Sequence, residues 1–247
     1  MNIVFDFGNT SHKCAVFDKE RLIFHETKNQ FSLQEINETL KKFEIKNSLF
    51  SAVEDFDPAI EALLSASTKY FNLTYRLPVP IKNRYATPET LGNDRLAGAV
   101  GAAYLFPHEP VLIIDAGTCI KYDFVNAHGE YLGGAISPGL YMRFQAMHNY
   151  TGRLPLIKPD MLETFAATDL TGNSTSNALL SGGARGALFE AEGFIKAYEE
   201  RYPGLYIILT GGDMAFFELH LKRKIFALPQ LVLTGLNIIL EHNLKQN

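Results

Sequence analysis

Two acidic turns, each placed directly after a short apolar run, are the segments best suited to chemistry. The first is Asp6–Thr10 (DFGNT) and the second is Asp115–Thr118 (DAGT). The glycine of such a turn lets the backbone approach a ligand, exposed N–H groups form an anion nest, and the threonine hydroxyl adds a donor. An aspartate must reach a phosphate through a cation or a water, because both groups are negative. The pair of turns therefore predicts a site for a polyphosphate and its metal ions.

A third turn, Thr210–Asp213 (TGGD), follows the apolar run 206–209. Two glycines at the end of a strand suit a flat ring such as adenosine, which lies against bare backbone. The chain contains neither the P-loop pattern GxxxxGK[ST] nor the dinucleotide pattern GxGxxG. Those two classes of nucleotide-binding protein are therefore disfavoured.

The segment from Tyr85 to Arg95 ends in two adjacent charges just before an alanine-rich apolar stretch. Asp94 is placed to accept the proton of a substrate hydroxyl, and Arg95 to fork onto an anionic or polar group. Phosphoryl transfer depends mainly on positioning and charge stabilisation, so one orienting carboxylate suffices. The alternative is an ordinary surface ion pair near a helix start.

The elements around these turns are repeated. Short strands are predicted at 3–5, 13–17 and 22–24, and again at 111–114, at 121–125 and from 131, so one strand–turn–strand–turn–strand unit occurs twice. Such a repeat argues for two similar subdomains, with a proline-rich boundary at 107–110. The predicted helices are one with a capping box at 32–35, a buried one over 96–105, a long one over 176–201 and a closing one over 231–244.

Composition narrows the class of protein. The 247 residues carry a net charge of -4, are 47% hydrophobic and include only two cysteines, Cys14 and Cys119. No basic stripe indicates nucleic-acid binding, and two cysteines cannot form a disulfide framework. No signal peptide is apparent, and no apolar run approaches the roughly 20 residues that span a bilayer. We expect a soluble, cytoplasmic protein that binds neither nucleic acid nor membrane.

The three turns, in this order, resemble those of the sugar kinase, heat-shock ATPase and actin superfamily. The resemblance implies an α/β, duplicated ribonuclease H-like fold of the actin type, with two similar lobes, mixed sheets and a cleft between them. The lobes are expected at 1–109 and 110–247, and the closing helix is a candidate to pack back on the first lobe.

A more specific resemblance covers essentially the whole chain, from residue 1 to about 240. The ordered motifs resemble those of type III pantothenate kinases, which implies phosphorylation of the primary hydroxyl of pantothenate by ATP, the first step of coenzyme A biosynthesis. Magnesium would accompany ATP, and a monovalent cation, potassium or ammonium, would bind as well. The motifs are Asp6–Thr10, Leu91–Arg95, Asp115–Thr118, Gly133–Leu140, Thr151–Pro155 and Gly172–Thr175.

The resemblance also implies residue roles. Asp94 is the proton acceptor, and Asp115 is similar to the ligand of the monovalent cation. Pantothenate is expected at Tyr85, Gly92, Asn93, Asp94, Arg95 and Thr175, and ATP at Asp6, Phe7, Gly8, Asn9, Thr10, Ser11, His12, Lys13 and Thr118.

The chain departs from the family pattern after the second acidic turn. After Thr118 the chain continues with Cys119, Ile120 and Lys121, where the family has small residues and threonine. Lys121 either adds positive charge near the cleft or points outward from a strand edge, and we expect the outward orientation. Lys13 is not fixed in the family, so its phosphate role is less well founded than those of Asn9 and Thr10.

Members of the family pair through the second lobe, which implies a homodimer with a shared active site. Thr175 of one subunit would reach the pantothenate of the other. The small apolar face formed by Ala178, Leu179, Leu180 and Ala184 is the expected pairing surface, and packing within the subunit is the alternative.

Two other functions compete with this one. The first is a kinase of the same superfamily that acts on a sugar, and the second is a non-catalytic accessory protein that keeps the fold. The compact length and the Gly92–Arg95 loop argue against a sugar kinase, and the presence of Asp6, Asp94 and Asp115 together argues against a non-catalytic relative.

Overall fold

The computed structural model describes residues 1–52, 56–158, 162, 165 and 169–246. The chain forms two compact α/β units. One comprises Met1–Val111, Phe124–Gly133 and Gln230–Asn247, and the other comprises Leu112–Asp123 and Gly134–Pro229. Among the described residues, every helix is too short or too polar to cross a bilayer.

The strands and helices are numbered in chain order. They are β1 (Asn2–Phe7), β2 (His12–Asp18), β3 (Arg21–Lys28), α1 (Leu33–Lys42), β4 (Asn47–Ala52), α2 (Pro58–Ser67), β5 (Lys69–Asn72), β6 (Lys82–Asn83), α3 (Asn93–Leu105), β7 (Val111–Ala116), β8 (Cys119–Val125), β9 (Glu130–Pro138), α4 (Leu140–Asn149), α5 (Thr175–Leu180), α6 (Gly186–Arg201), β10 (Tyr206–Thr210), α7 (Met214–His220), β11 (Phe226–Ala227) and α8 (Leu231–Gln246).

A five-stranded sheet in the order β3-β2-β1-β4-β5 forms the centre of the first unit. The pairs β1–β2 and β2–β3 are antiparallel, whereas β1–β4 and β4–β5 are parallel. All six residues of β1 are buried, and its centre, Ile3–Phe5, is an apolar run between Asn2 and Asp6. The first three predicted strands and the mixed character of the sheet are confirmed.

Helix α1 begins where the sequence predicted. The Ser32 Oγ accepts a hydrogen bond from the Glu35 N–H at 3.2 Å, and the Glu35 carboxylate accepts one from the Ser32 N–H at 2.8 Å. This capping box satisfies two backbone donors that the first turn would otherwise leave unpaired. Ile36 and Leu40 then face the core beneath the sheet.

Helices α3 and α8 pack together at very short range. A Cβ on Gly235 would lie only 1.8 Å from the carbonyl oxygen of Ala97, and one on Gly101 would lie 2.8 Å from that of Leu231. Glycine is therefore required at both positions, since any side chain would push the helices apart. This contact holds α3, whose first turn carries Asp94, firmly within the first unit.

A second sheet, in the order β11-β10-β7-β8-β9-β6, contains the repeated motif. Its strands β7, β8 and β9 follow one another along the chain as β1, β2 and β3 do. The Gly129 N–H donates to the Asn126 carbonyl at 3.0 Å, and the positive φ of 69° at Gly129 closes the β8–β9 turn. The predicted duplication of strands and turns is confirmed.

The helix predicted over 176–201 is present but not uniform. Helix α5 continues through a π-helical turn at Ser181–Arg185 into α6. A Cβ on Gly183 would lie 2.4 Å from a ring carbon of Phe144, so the glycine lets this turn pack against α4. Single π turns inside α-helices recur at functional sites.

Candidate active site

The first acidic turn joins β1 to β2 in the first unit. Asp6 is buried, with only 7% of its surface exposed, and lies opposite Lys13 in the antiparallel register. The Gly8 N–H donates to the Ser11 carbonyl at 3.2 Å and closes the loop. Asn9 and Thr10 are exposed at its tip.

Phe7 and His12 flank this loop and stack on each other. Their ring centroids are 3.9 Å apart and the ring planes differ by only 8°. Because the Phe7 side chain is buried in the core, only its backbone is available for the predicted contact with ATP. Phe7, Gly8 and His12 also line a cavity of about 510 Å³ inside the first unit, together with Phe31 and Ile60.

The predicted pantothenate loop forms the start of α3. Gly92 is the N-cap, so Asn93, Asp94 and Arg95 make up the first turn of the helix. The Asp94 Oδ1 accepts a hydrogen bond from the Arg95 N–H at 2.8 Å, and a carboxylate at this end interacts favourably with the helix dipole. The Asn93 amide donates to the Leu73 carbonyl at 3.0 Å and so anchors the loop.

Tyr85 lies beside this loop and is held on several sides. The centre of the Arg95 guanidinium is 5.5 Å from the Tyr85 ring centroid, within the range of a cation–π interaction. The Tyr85 and Tyr131 rings stack at 6.2 Å. A Cβ on Gly133, whose φ is 98°, would lie 3.1 Å from the Tyr85 ring. The structure therefore brings together Tyr85 and Arg95, which are both predicted to bind pantothenate.

The second acidic turn, in the second unit, joins β7 to β8. The Gly117 N–H donates to the Cys119 carbonyl at 3.0 Å, and the Gly139 N–H donates to the Thr118 carbonyl at 3.2 Å. A Cβ on Gly139 would lie 2.1 Å from the Gly117 oxygen, so only glycine permits this close approach. The Gly133–Leu140 motif thus has a structural reason: it packs its last glycine against the Gly117–Thr118 backbone.

The third turn lies against the second. The Asp213 N–H donates to the Ala116 carbonyl at 2.9 Å, and Gly211 has a φ of 96°. A Cβ on Gly211 would lie 2.2 Å from the Ala116 oxygen and 2.6 Å from the Asp115 Oδ1. Burial raises the pKa of Asp213 above its usual range. The two turns predicted to hold phosphate and adenosine are therefore neighbours in the second unit.

Lys121 does not point outward, so that prediction is wrong. Its Nζ lies 2.6 Å from the Asp115 Oδ2, and the two side chains are only 17% and 19% exposed. Lys121 and Asp115 are on adjacent strands, β8 and β7, on either side of the turn. A carboxylate that is shielded from water without a partner is unfavourable, so the Lys121 side chain turns inward and pairs with Asp115.

Thr175 is the first residue of α5 and is exposed. The Ser174 Oγ accepts a hydrogen bond from the Asn177 N–H at 3.2 Å and caps the helix. The neighbouring face that we expected to pair with a second subunit is not available. Leu179, Leu180 and Ala184 are buried in the core of their own unit, and only Ala178 is exposed. The alternative of packing within the subunit is correct for these three residues.

A polar network that the sequence did not reveal braces the β9–α4 junction. The Arg143 Nη2 donates to the Glu190 carboxylate at 2.6 Å and to the Ser137 Oγ at 2.5 Å, and its Nε donates to the Pro138 carbonyl at 2.8 Å. The Tyr122 hydroxyl donates to the other Glu190 oxygen at 3.0 Å. These contacts fix the segment just before Gly139. The two contacts of Glu190 join residues far apart in sequence, so no local pattern could have indicated them.

The network also shifts the protonation of its members. Burial alone would raise the pKa of Glu190, but the hydrogen bonds from Arg143 and Ser137 outweigh it, so the pKa is lowered. Burial, and then the nearby Glu190 carboxylate, raise the pKa of Tyr122. Glu190 is therefore an ionised acceptor and Tyr122 a neutral donor, as their hydrogen bond requires.

Solved structures of other proteins share this fold. A Baf family protein from Campylobacter jejuni, described as a transcriptional activator, superposes with a TM-score of 0.61 at 21% identity, covering 98% of this chain and 99% of that one. A ROK hexokinase from Thermus thermophilus superposes with a TM-score of 0.52 at 15% identity, covering 98% and 99%. At these identities the likeness establishes the fold alone, and it confirms the predicted α/β fold class.

Sequence comparison is more specific. The family model "Type III pantothenate kinase" matches residues 2–197. A type III pantothenate kinase from Christiangramia forsetii is 44% identical over the full length of both chains. The match includes the first acidic turn, the Gly92–Arg95 loop, the second turn and Thr175. The chain belongs to the type III pantothenate kinase family.

Proposed function

We propose that the chain transfers the γ-phosphoryl group of ATP to the primary hydroxyl of pantothenate, giving 4′-phosphopantothenate in the first step of coenzyme A biosynthesis. The observation that carries the proposal is the Asp94 carboxylate in the first turn of α3, next to Arg95, in a chain related over its full length to type III pantothenate kinases. We also propose that the protein acts in the cytoplasm.

The Asp6–Lys13 segment and Thr118 are proposed to hold the phosphates of ATP. Asn9 and Thr10 are exposed at the tip of the loop, and their polar side chains are of the type that an anion requires. No cluster of three or more histidine, cysteine, aspartate or glutamate side chains suited to a metal ion occurs among the described residues. Magnesium is commonly held by one or two carboxylates and the phosphates themselves, and Asp6 is the carboxylate proposed here.

Asp94 is proposed as the proton acceptor. Its Oδ1 is oriented by the Arg95 N–H, which holds the carboxylate in the first turn of α3, where it is proposed to meet the pantothenate hydroxyl. Accepting that proton as the oxygen attacks phosphorus prevents a positive charge from developing on the nucleophile. Phosphorus exchanges its bond to the bridging oxygen of ADP for a bond to the substrate oxygen.

The remaining loop residues are proposed to bind the rest of pantothenate. The substrate carries a carboxylate, and the Arg95 guanidinium is the group suited to it. Tyr85 supports that guanidinium from its ring face. The backbone of Gly92 and Asn93 completes the wall of the pantothenate site, while the Asn93 side chain anchors the loop.

A homodimer with a shared active site is part of the proposal. Thr175 is exposed, so its hydroxyl is accessible to a ligand held by another subunit. The surface of the second unit also exposes large apolar side chains on three elements, namely Ile136 on β9, Tyr141 on α4 and Phe189 on α6. Exposed apolar groups of this size are suited to an interface, and they replace the buried face expected from sequence.

The function is tested with purified protein by measuring ADP release with pantothenate, and with glucose as the competing substrate class. We expect turnover with pantothenate only, and a product that mass spectrometry and phosphorus NMR identify as 4′-phosphopantothenate. ADP release with glucose but not pantothenate would indicate a sugar kinase. Tight ATP binding without turnover on either substrate would indicate a non-catalytic relative.

A positive charge beside Asp115 completes the proposed site. From the family resemblance we expect potassium or ammonium at this carboxylate. The Lys121 ammonium already contacts this carboxylate. If a free ion supplies the charge, turnover requires potassium or ammonium, whereas if Lys121 supplies it, turnover requires neither ion.

A further inference from the structure

The pair formed by Lys121 and Asp115 is short and poorly hydrated. Its atoms are 2.6 Å apart and both side chains are less than one-fifth exposed. Charge-assisted contacts of this length are among the stronger polar interactions in proteins, and shielding from water strengthens them further. The ammonium is therefore a fixed feature of this carboxylate and not a transient surface contact.

The pair lies at the base of the second acidic turn. Asp115 is near the end of β7 and Lys121 near the start of β8, and Thr118 is three residues from each. The backbone between them is fixed by the hydrogen bond from Gly117 to Cys119. A lysine at this location places a full positive charge next to the turn proposed to contact ATP.

The donor set does not fit a monovalent cation from solution. A potassium ion that used Oδ2 of Asp115 would have to displace the Lys121 ammonium, which already contacts that oxygen. A potassium ion held at Oδ1 instead would share the carboxylate with the Lys121 ammonium and would be repelled by its like charge. The lysine ammonium carries the same single charge as potassium, and its tether gives it a high effective concentration at this carboxylate.

We propose that the Lys121 ammonium replaces the monovalent cation at Asp115, so that this kinase works without potassium or ammonium ions. The inference rests on the proposed phosphoryl transfer to pantothenate. It assigns Lys121 a positioning and charge-supplying role: the side chain neutralises Asp115 and contributes positive potential at the second turn.

The first experiment compares wild-type turnover in potassium, ammonium, sodium and choline chloride at one ionic strength. We expect rates that agree within about 2-fold, because the built-in charge is unaffected by the salt. A wild-type rate that requires potassium or ammonium would overturn the inference and leave the proposed function intact. Absence of product in every salt would instead count against the proposed function, and the binding test described below would still decide the inference.

The second experiment removes the ammonium with Lys121→Met. We expect the rate in sodium to fall by about 10-fold or more, and to recover in potassium or ammonium, because the vacated carboxylate now accepts a free ion. Lys196→Met is the matched control, since Lys196 is on the surface and 72% of its side chain is exposed. A folded Lys121→Met protein whose lost activity neither ion restores would overturn the inference.

A binding readout that needs no turnover separates ion replacement from a purely structural role. Thermal unfolding is followed while potassium replaces sodium at constant ionic strength. Potassium should leave the wild-type midpoint unchanged but raise that of Lys121→Met by about 2–4 °C, because an ion that binds only the folded state stabilises it. Equal responses of the two proteins would overturn the inference. If Lys121→Met does not fold, Lys121→Gln is measured in its place, and the wild-type salt comparison decides the matter independently.

Discussion

The Asp94 carboxylate occupies space that a side chain on Gly92 would need: a Cβ on Gly92 would lie 2.6 Å from the Asp94 Oδ1. The backbone of Gly92 has φ -59° and ψ 133°, which any residue can adopt, so the glycine is not needed for its conformation. It is needed because it leaves room for the Asp94 carboxylate to receive the Arg95 N–H. The glycine of this loop is thus part of the positioning of the proposed proton acceptor.

Gly92→Ala tests this relationship. The new methyl group displaces the Asp94 carboxylate, which can rotate away, so we expect turnover to fall by about 10-fold or more while the protein remains folded. Gly98→Ala is the matched control, because Gly98 lies in the same helix and a Cβ there meets nothing within 4 Å. The measurements are the turnover rate and the midpoint of thermal unfolding. Equal turnover in both variants would contradict the proposed coupling.

Asp94→Asn tests the proton acceptor directly. The amide keeps the shape and still accepts from the Arg95 N–H, but it cannot take a proton, so turnover should fall by roughly two to four orders of magnitude. The dissociation constant of ATP should hardly change. Glu89→Gln, an exposed carboxylate change just before the same loop, should behave like wild type. A near-normal rate for Asp94→Asn would remove Asp94 from its proposed role.

Arg143→Met tests the network at the β9–α4 junction. It leaves Glu190 without its ion pair in a partly buried position, so we expect the free energy of unfolding to fall by about 1–3 kcal/mol at neutral pH. Affinity for ATP should fall as well, because the segment before Gly139 supports the Thr118 backbone. The apolar stem of methionine retains much of the arginine packing, which makes the missing charge the main difference. Unchanged stability and unchanged ATP affinity would exclude the bracing role.

The same network predicts a pH dependence. The pKa of Glu190 is lower in the folded protein than the ordinary value of 4.5, so the unfolded chain takes up its proton first as the pH falls. The stability that Glu190 contributes is therefore present above pH 4.5 and is lost as the pH falls through its lower folded-state pKa. Denaturant unfolding of wild type and Arg143→Met across the acid range should show the two stabilities converging. If the two stabilities instead differ by a constant amount across the acid range, the Arg143–Glu190 ion pair is not the cause of the pH dependence.

Mixed dimers test whether Thr175 acts across subunits. Thr175→Ala alone should weaken pantothenate binding by about 2- to 10-fold, the value of one hydrogen bond, and leave ATP binding unchanged. Thr171→Ala, a nearby exposed threonine, is the control. If each site combines Asp94 of one chain with Thr175 of the other, mixing Thr175→Ala with Asp94→Asn chains places both defects in one site and leaves the other intact. Activity should then rise above both parents, whereas no rise after confirmed exchange would place Thr175 in its own chain's site.

Many features of this protein could be predicted from the sequence, because they depend on residues that are close together in the chain. Apolar runs bounded by glycine turns predicted β1, β2, β7 and β8, and the Ser32–Glu35 pattern predicted the start of α1. The order of the acidic turns and the Gly92–Arg95 loop indicated the family and hence the reaction. The roles of the individual site residues and the dimer remain predictions.

Other features were decided only by the tertiary structure, since they depend on which distant side chains the fold brings together. Lys121 turns inward because strand pairing sets it against the partly buried Asp115, a contact that the alternation of residues along β8 does not specify. Leu179, Leu180 and Ala184 form an apolar face in sequence that suits a partner or a core equally well, and packing within the second unit assigns them to the core. Arg143 meets Glu190 only because α4 and α6 are neighbours. Local patterns record which face of an element is apolar, whereas the partner of a charged or apolar side chain is selected by long-range packing.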